Sequence, residues 1–410
     1  MKNPIHNQRR PSKSSLVSFY SFLWLASCGF LISTLLPNTS YGQIRFATFN
    51  VSMNRSQEGE LSEQLAAGNH EQIAKIAAVI RTIRPDVLLL NEFDYAGEQA
   101  TASVEHFQNH YLQSPSDTLN TIEYGYAYTN QVNTGIASGL DLDGNGKTTD
   151  PTDCFGFGRY PGQYGMVVLS RFPLGEVRTF QKFLWQNMPG ALLPRDPKTG
   201  KSYYSSEILN KFRLSSKSHW DVPVETPAGR IHFLVCHPTP PVFDGPEDKN
   251  GTRNHDEIRF WSDYVSPSTA GYIVDDAGQR GGLRKNEFFV IAGDLNADPV
   301  DGDSTNQAIN QLLKHPLIQD PKPTSKGGAE AAKIQGNVNT THRGKAELDT
   351  GDFSDRSPGN LRIDYVLPSR NLKTQRAGGF WPTKADTPAT RLVTASDHRM
   401  VWVDIKVKEK

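Results

Sequence analysis

Cysteine is scarce, with three residues in a chain of 410, so a small disulfide-stapled scaffold is excluded and stability must come from a buried core. Neither sign of charge predominates: Lys plus Arg and Asp plus Glu stand at 44 each, and no dense Lys/Arg run advertises a nucleic-acid or membrane surface. No internal repeat is visible, and no Pro- or Gly-rich patch has the length of a disordered linker. What is present is 37% hydrophobic against 21% charged side chains, enough to bury a real core and too apolar for a disordered chain.

Charge is uneven along the chain. Residues 1–42 hold Lys2, Arg9, Arg10 and Lys13 and no acid, which leaves 40 basic against 44 acidic side chains in the remainder, a formal −4. The basic stretch precedes an uncharged run from Leu16 to Leu36, and Ser40 and Gly42 occupy the −3 and −1 places of a cleavage site before Gln43. This predicts a signal peptide over residues 1–42 and a secreted or periplasmic protein. Two other readings stand beside it. Leu25-Ala26-Ser27-Cys28 has the form of a bacterial lipoprotein box, and 21 uncharged residues can remain as a membrane anchor. Membrane contact would then come only through an uncleaved or lipidated N-terminus. The apolar run continues past Cys28, which favours cleavage near Gly42. Cys154 and Cys236 would remain, 82 residues apart, paired or unpaired.

Ile44–Val51 is rich in β-branched and aromatic residues and predicts a strand. Over His70–Ile83, Ile73, Ile76, Ala77, Ile80 and Ile83 recur at helical intervals until Arg84-Pro85-Asp86 stops them. Val87–Leu90 is a continuous apolar run, as in a strand buried on both faces. Further strands are predicted at Met166–Leu169, Ile231–Cys236, Phe288–Ala292, Leu361–Leu367 and Met400–Val407, the last alternating as a half-buried strand would. Strands mixed with a few helices point to one large α/β domain over residues 43–410. Long polar segments near 94–163, 173–228 and 238–286 read as insertions or functional loops.

Apolar runs repeatedly end in oxygen or imidazole side chains: Asn50 after ATF, Glu92 after LLLN, His237 after FLVC, and Asp294 and Asn296 after VIAG. Asp364 lies inside RIDYVL, and Asp397-His398 precedes the final strand. Each alone is ordinary, since a strand-end Asn or Asp is commonly a turn former and a histidine is often structural. Glu92 is harder to dismiss, because an unpaired carboxylate beside buried leucines is costly. Converging on one sheet rim, the set suits a hard divalent cation plus proton transfer, the combination that phosphate-ester hydrolysis needs.

The ordered series TFNV, NE, MVVLSRFP, VCHPTPP, GDLNADP, RIDYVLPS and SDHR resembles the endonuclease/exonuclease/phosphatase superfamily, over residues 44–407. The resemblance implies a deoxyribonuclease-I-like, four-layer sandwich of two mixed β-sheets flanked by helices, and a phosphoesterase dependent on Mg²⁺ or Mn²⁺. It makes Glu92 the principal metal ligand, with Asn50 beside it and Asp397 near the metal. His398 would be the catalytic imidazole, its tautomer fixed by Asp364. Asp294 would orient or deprotonate the water, and Asn296 would hydrogen-bond a phosphate oxygen. His237 resembles the second histidine of deoxyribonuclease- and sphingomyelinase-like members, which protonates the leaving oxygen or binds the phosphate.

A second metal signal is Asp141, Asp143, Asn145 and Gly146, the front half of a calcium loop; Thr152 stands at position 12, so Asp150 or Asp153 would have to complete the shell. A structural Ca²⁺ and a plain Gly/Asn turn both fit. Three functions are open: a monomeric nuclease-like phosphodiesterase acting on phosphate esters such as DNA, a phosphatase or phosphodiesterase for small or lipid phosphates, or an inactive binding protein on the same fold. Arg253, Arg259, Arg280, Arg284 and Lys285 read mainly as solvated surface, and the aromatics of Tyr124–Tyr128 and Phe155–Tyr164 as a pocket lining or as packing beneath a loop.

Overall fold

The apolar runs become strands with both faces buried, and this stacks the protein into layers. The computed structural model describes residues 42–113 and 119–407; the expected export signal and Cys28 fall on 1–41, outside the described residues. In chain order the strands are β1 (Gln43–Met53), β2 (Val87–Phe93), β3 (Tyr126–Thr129), β4 (Met166–Ser170), β5 (Arg178–Thr179), β6 (His219–Thr226), β7 (Gly229–Cys236), β8 (Phe288–Asp294), β9 (Gly351–Asp352), β10 (Asn360–Leu361), β11 (Asp364–Pro368), β12 (Thr374–Gly379) and β13 (Val401–Lys406). One sheet runs β12-β13-β1-β2-β4-β3, the other β11-β8-β7-β6-β5, and β9 pairs with β10. Both large sheets are mixed: β1/β2 and β7/β8 are parallel, while β13 and β11 run antiparallel to β1 and β8.

Period-two alternation assigns the faces. Ile44, Phe46, Val87, Leu89 and Val168 meet Trp220, Val222, Phe233, Val235, Val290 and Val366 between the sheets. The alternate residues Phe49, Leu88 and Leu90 turn outward onto Ile73, Ile76 and Ile80 of the helix Glu71–Ile83. That helix ends where Arg84 takes a left-handed φ of 54° just before Pro85. Beyond the second sheet, Leu234, Ile291 and Leu367 pack on Ile258, Trp261 and Tyr264 of the helix Lys249–Tyr264. Helix, sheet, sheet, helix is the four-layer order the resemblance implied. Among the described residues no helix is long and apolar enough to cross a membrane.

The structure corrects one expectation and refines two others. The long polar segments are not loop throughout: 94–163 holds β3 and a helix at Ala100–Phe107, 173–228 holds β5 and β6, and 238–286 holds the 16-residue helix. Several of their polar residues are buried connectors. Asn254 donates to Thr239 O and Leu295 O, and Asp256 accepts from Trp185 Nε1 at 2.7 Å. The alternation expected of β13 holds, with Trp402 half-buried and Lys406 exposed, except that Asp404 on the same face is fully buried beneath Arg45 (2.7 Å) and Arg376 (3.0 Å). Cys154 and Cys236 are free thiols, and Trp261 Nε1 donates to the Cys236 sulfur at 3.1 Å.

Candidate active site

Topology brings one end of each central strand to the same rim. β1, β2, β7 and β8 finish there, and the antiparallel β11 and β13 begin there, so Asp364 lies directly opposite Asp294 in the ladder. Local irregularities aim the side chains. The β1/β2 register shifts between Asn50 and Met53, with Ser52 and Glu92 at positive φ (46° and 60°). Non-glycine residues hold such φ at about 1 kcal/mol or more, and cluster at functional sites. Gly293 is required for another reason: a Cβ there would stand 2.1 Å from Cys236 O, so only glycine lets the end of β8 approach the end of β7.

Asn50 is the hub. Its Nδ2 donates to Glu92 Oε1 (2.9 Å) and Asp294 Oδ2 (3.1 Å) and lies 3.4 Å from His398 Nε2. Asp294 Oδ2 is 3.4 Å from His237 Nε2 and 3.6 Å from His398 Nε2. His398 Nδ1 lies 2.9 Å from Asp364 Oδ2, and Phe353 meets the imidazole edge-on. Asn296, with φ 51°, donates its backbone N–H to Asp294 Oδ1 and one amide hydrogen to Pro238 O.

Burial and charge divide the two histidines. At His398 burial alone would lower the imidazole, but Asp364 and Asp294 outweigh it and lift the group to about 10. His237 is buried without such a pair, and burial together with Lys217 lowers it to about 4. Its Nδ1 has no partner among the described residues. Burial also opposes ionisation of Asp294, yet His398 and His237 hold that carboxyl well below the usual range. Burial raises Glu92. Asp294, Asp364 and His398 offer ligand atoms within 4.8 Å of one another. An imidazolium flanked by two carboxylates is an ion-pair arrangement, however, and the metal donors are better sought in Glu92 and Asn50.

The sequence-predicted residues therefore meet, with one at the margin. Asp397 is exposed, with Oδ1 accepting from Ser52 Oγ at 2.8 Å, and it reaches the centre through its field on His398. Two contributors escaped sequence reasoning. Thr350 Oγ1 accepts from the N–H groups of Ile363 and Asp364, its carbonyl accepts from Arg399 N, and Gly351 bridges to His398. Thr350 follows no apolar run. Lys217 is buried and lies within electrostatic reach of Glu257, Glu92 and Asp294, so burial lowers its ammonium against their opposing pull. A lysine between serines reads as surface, and only the following strand, itself unpredicted, would have signalled it.

Elsewhere, Asp141, Asp143 and Asp153 converge within 4.8 Å, with Asp153 buried. Asp150 is not in that group and accepts from Asn145 Nδ2 at 3.0 Å. Arg253 is buried, donating to Leu214 O and Phe155 O, and is no surface cation. Tyr124, Phe155 and Tyr160 are packing beneath loops, whereas Tyr126 and Phe157 are exposed.

The model of the Endonuclease/Exonuclease/phosphatase family matches residues 47–398. No curated protein matches the chain. Similar solved structures include an endonuclease/exonuclease/phosphatase from Beutenbergia cavernae DSM 12333, at 17% identity and TM-score 0.46 over 89% of this chain and 72% of that one. Others are TDP2 from Caenorhabditis elegans (14%, TM-score 0.42, 89% and 74%) and sphingomyelinase C from Streptomyces griseocarneus (13%, TM-score 0.42, 88% and 99%). With the matched span running from β1, which carries Asn50, to His398 itself, the chain belongs to the endonuclease/exonuclease/phosphatase family and is a metal-dependent hydrolase of phosphate ester bonds.

Proposed function

We propose that the protein is an exported, nuclease-like phosphodiesterase in which water attacks phosphorus and the bond to the leaving oxygen breaks. The observation that carries this is the single amide nitrogen of Asn50 touching Glu92, Asp294 and His398, residues drawn from both sheets. The donor set fits a hard cation, since Glu92 accepts only from Asn50 among the described residues and Asn50 carries a second hard oxygen. Glu92 and Asn50 would hold Mg²⁺ or Mn²⁺, with Asp397 near it. When bound, the ion supplies positive charge to the phosphoryl oxygens.

The chain's own residues do the rest. Asp294, between two imidazoles, orients the water; a carboxylate held this acidic is a weak base, so positioning is its larger contribution. His398, protonated and fixed by Asp364, faces charge that develops on the phosphoryl oxygens. His237 is neutral in the free protein, which favours hydrogen bonding to phosphate over protonation of the leaving oxygen. Asn296 has one amide hydrogen left for a phosphate oxygen.

Charge favours diesters. His398 and Lys217 face Glu92, Asp294, Asp364 and Glu257, so the rim without its cation is net negative and suits a monoanionic diester better than a dianionic monoester. Incubation with Mg²⁺ should give nicking of plasmid DNA and cleavage of a bis-aryl phosphodiester, with less on an aryl monoester or sphingomyelin. Monoester cleavage without diester cleavage would replace this reading by a phosphatase, and sphingomyelin alone by a lipid phosphodiesterase.

Two finer readings accompany it. Asp141, Asp143 and Asp153 bring carboxylate oxygens within 4.8 Å of one another, which supports a structural Ca²⁺ there with Asp153 rather than Asp150 completing the shell. Export rests on the basic, acid-free stretch and uncharged run of residues 1–42. A mature N-terminus at Gln43 in the secreted fraction is the expected result, and a cell-retained chain with an intact Met1 the contrary one.

A further inference from the structure

Lys217 presents a buried cation with Glu257, Glu92 and Asp294 within electrostatic reach but, among the described residues, no direct partner. It stands two residues before β6 and is 6% exposed, yet among the described residues no carboxylate is in ion-pair contact with its ammonium and no acceptor takes its hydrogens. The nearby acids are engaged elsewhere. Glu257 accepts from Ser216 N and Thr239 N at 2.6 Å each, while Glu92 and Asp294 both accept from Asn50.

The backbone that carries Lys217 is fixed on several sides. Its carbonyl accepts from Asn133 N at 2.8 Å, and Ser216 Oγ donates to His237 O at 3.2 Å. Gly156 packs so closely that a Cβ there would stand 1.9 Å from Ser216 O. These contacts hold the backbone on either side of the Lys217 side chain in place. A buried charge without a partner is destabilising, so a site that keeps one is organised to receive the opposite charge.

We propose that Lys217 is a substrate-binding residue, whose ammonium donates to a non-bridging oxygen of the scissile phosphate and supplies a positive charge built into the fold rather than borrowed from the metal. This rests on the phosphoesterase reading above. No proton or electron pair passes through Lys217. It acts by charge, and more strongly as the phosphoryl oxygens gain negative charge in the transition state.

The test compares the wild-type mature protein with Lys217→Met, Lys217→Arg and Lys217→Ala on a bis-aryl phosphodiester at saturating Mg²⁺. Lys217→Met should lower kcat/KM roughly a hundredfold, with the Mg²⁺ half-saturation within about twofold of wild type, because Lys217 is not a metal ligand. Ethylammonium should restore roughly tenfold of the rate lost in Lys217→Ala and do nothing for wild type. A Lys217→Met rate within about threefold of wild type, or a folded Lys217→Ala that no amine rescues, overturns the proposal. Should those two variants not fold, Lys217→Arg is read instead. The ratio of rates on the two phosphorothioate diastereomers of a diester should change, and an unchanged ratio overturns it. A wild-type protein inactive on every phosphate ester fails the phosphoesterase reading itself. An active wild type with an unaffected Lys217→Met fails this proposal alone.

Discussion

Two acidic regions of the molecule use the same kinds of side chain and assemble them in opposite ways. The rim draws Asn50, Glu92, Asp294, Asp364 and His398 from two sheets, with 348 positions between the first and the last. The loop draws Asp141, Asp143 and Asp153 from one short stretch. At the rim the carboxylates are held by imidazoles and a carboxamide, away from water. In the loop, backbone N–H groups do that work: Asp141 accepts from Gly144, Asn145 and Gly146, and Asp153 from Leu142 and Asp150. Groups held by distant strands are fixed as rigidly as the core itself, which is what water positioning requires. Groups held by neighbouring turns stabilise mainly their own segment.

The difference can be broken or sharpened by substitution. The largest effect should come from Asp294→Ala or His398→Ala, each lowering diester turnover roughly a thousandfold while the protein stays folded. Near-normal kcat by circular-dichroism-checked protein would remove those roles. Glu92→Gln should act chiefly through the metal, raising the Mg²⁺ concentration for half activity by roughly tenfold or more. An unchanged metal titration would move the ion elsewhere. Smallest is the loop: Ca²⁺ should raise the melting temperature by a few degrees, and Asp153→Asn should abolish the rise. No shift with Ca²⁺ in the unsubstituted protein would return Asp141–Asp153 to a plain turn.

Much of this was legible because buried strands write continuous apolar runs, and the residue that interrupts each run marks the rim: Asn50, Glu92, His237 and Asp294 all sit at such breaks. The helix Glu71–Ile83 was legible from its apolar period. β6 was not. Its inward Trp220, Val222 and Val224 alternate with Asp221 and Pro223, and Asp221 is itself buried, accepting from Tyr264 OH at 2.6 Å. The helix Lys249–Tyr264 buries Arg253, Asn254, Asp256 and Glu257, so its inner face is polar over half its length and shows no hydrophobic period. Lys217 was hidden by the same failure, since its place at the rim depends on β6. Burial of Asp404 was equally invisible, because its partners Arg45 and Arg376 lie in other strands.

Seven side chains from both sheets are held to meet at one cation-binding rim. Crystals soaked in Mn²⁺ and measured at the manganese edge address this most directly. The predicted result is an anomalous peak bonded to Glu92 and Asn50, with Asp294 and His398 beside it. A peak confined to the Asp141 loop, or Glu92 and His398 found far apart, would contradict it.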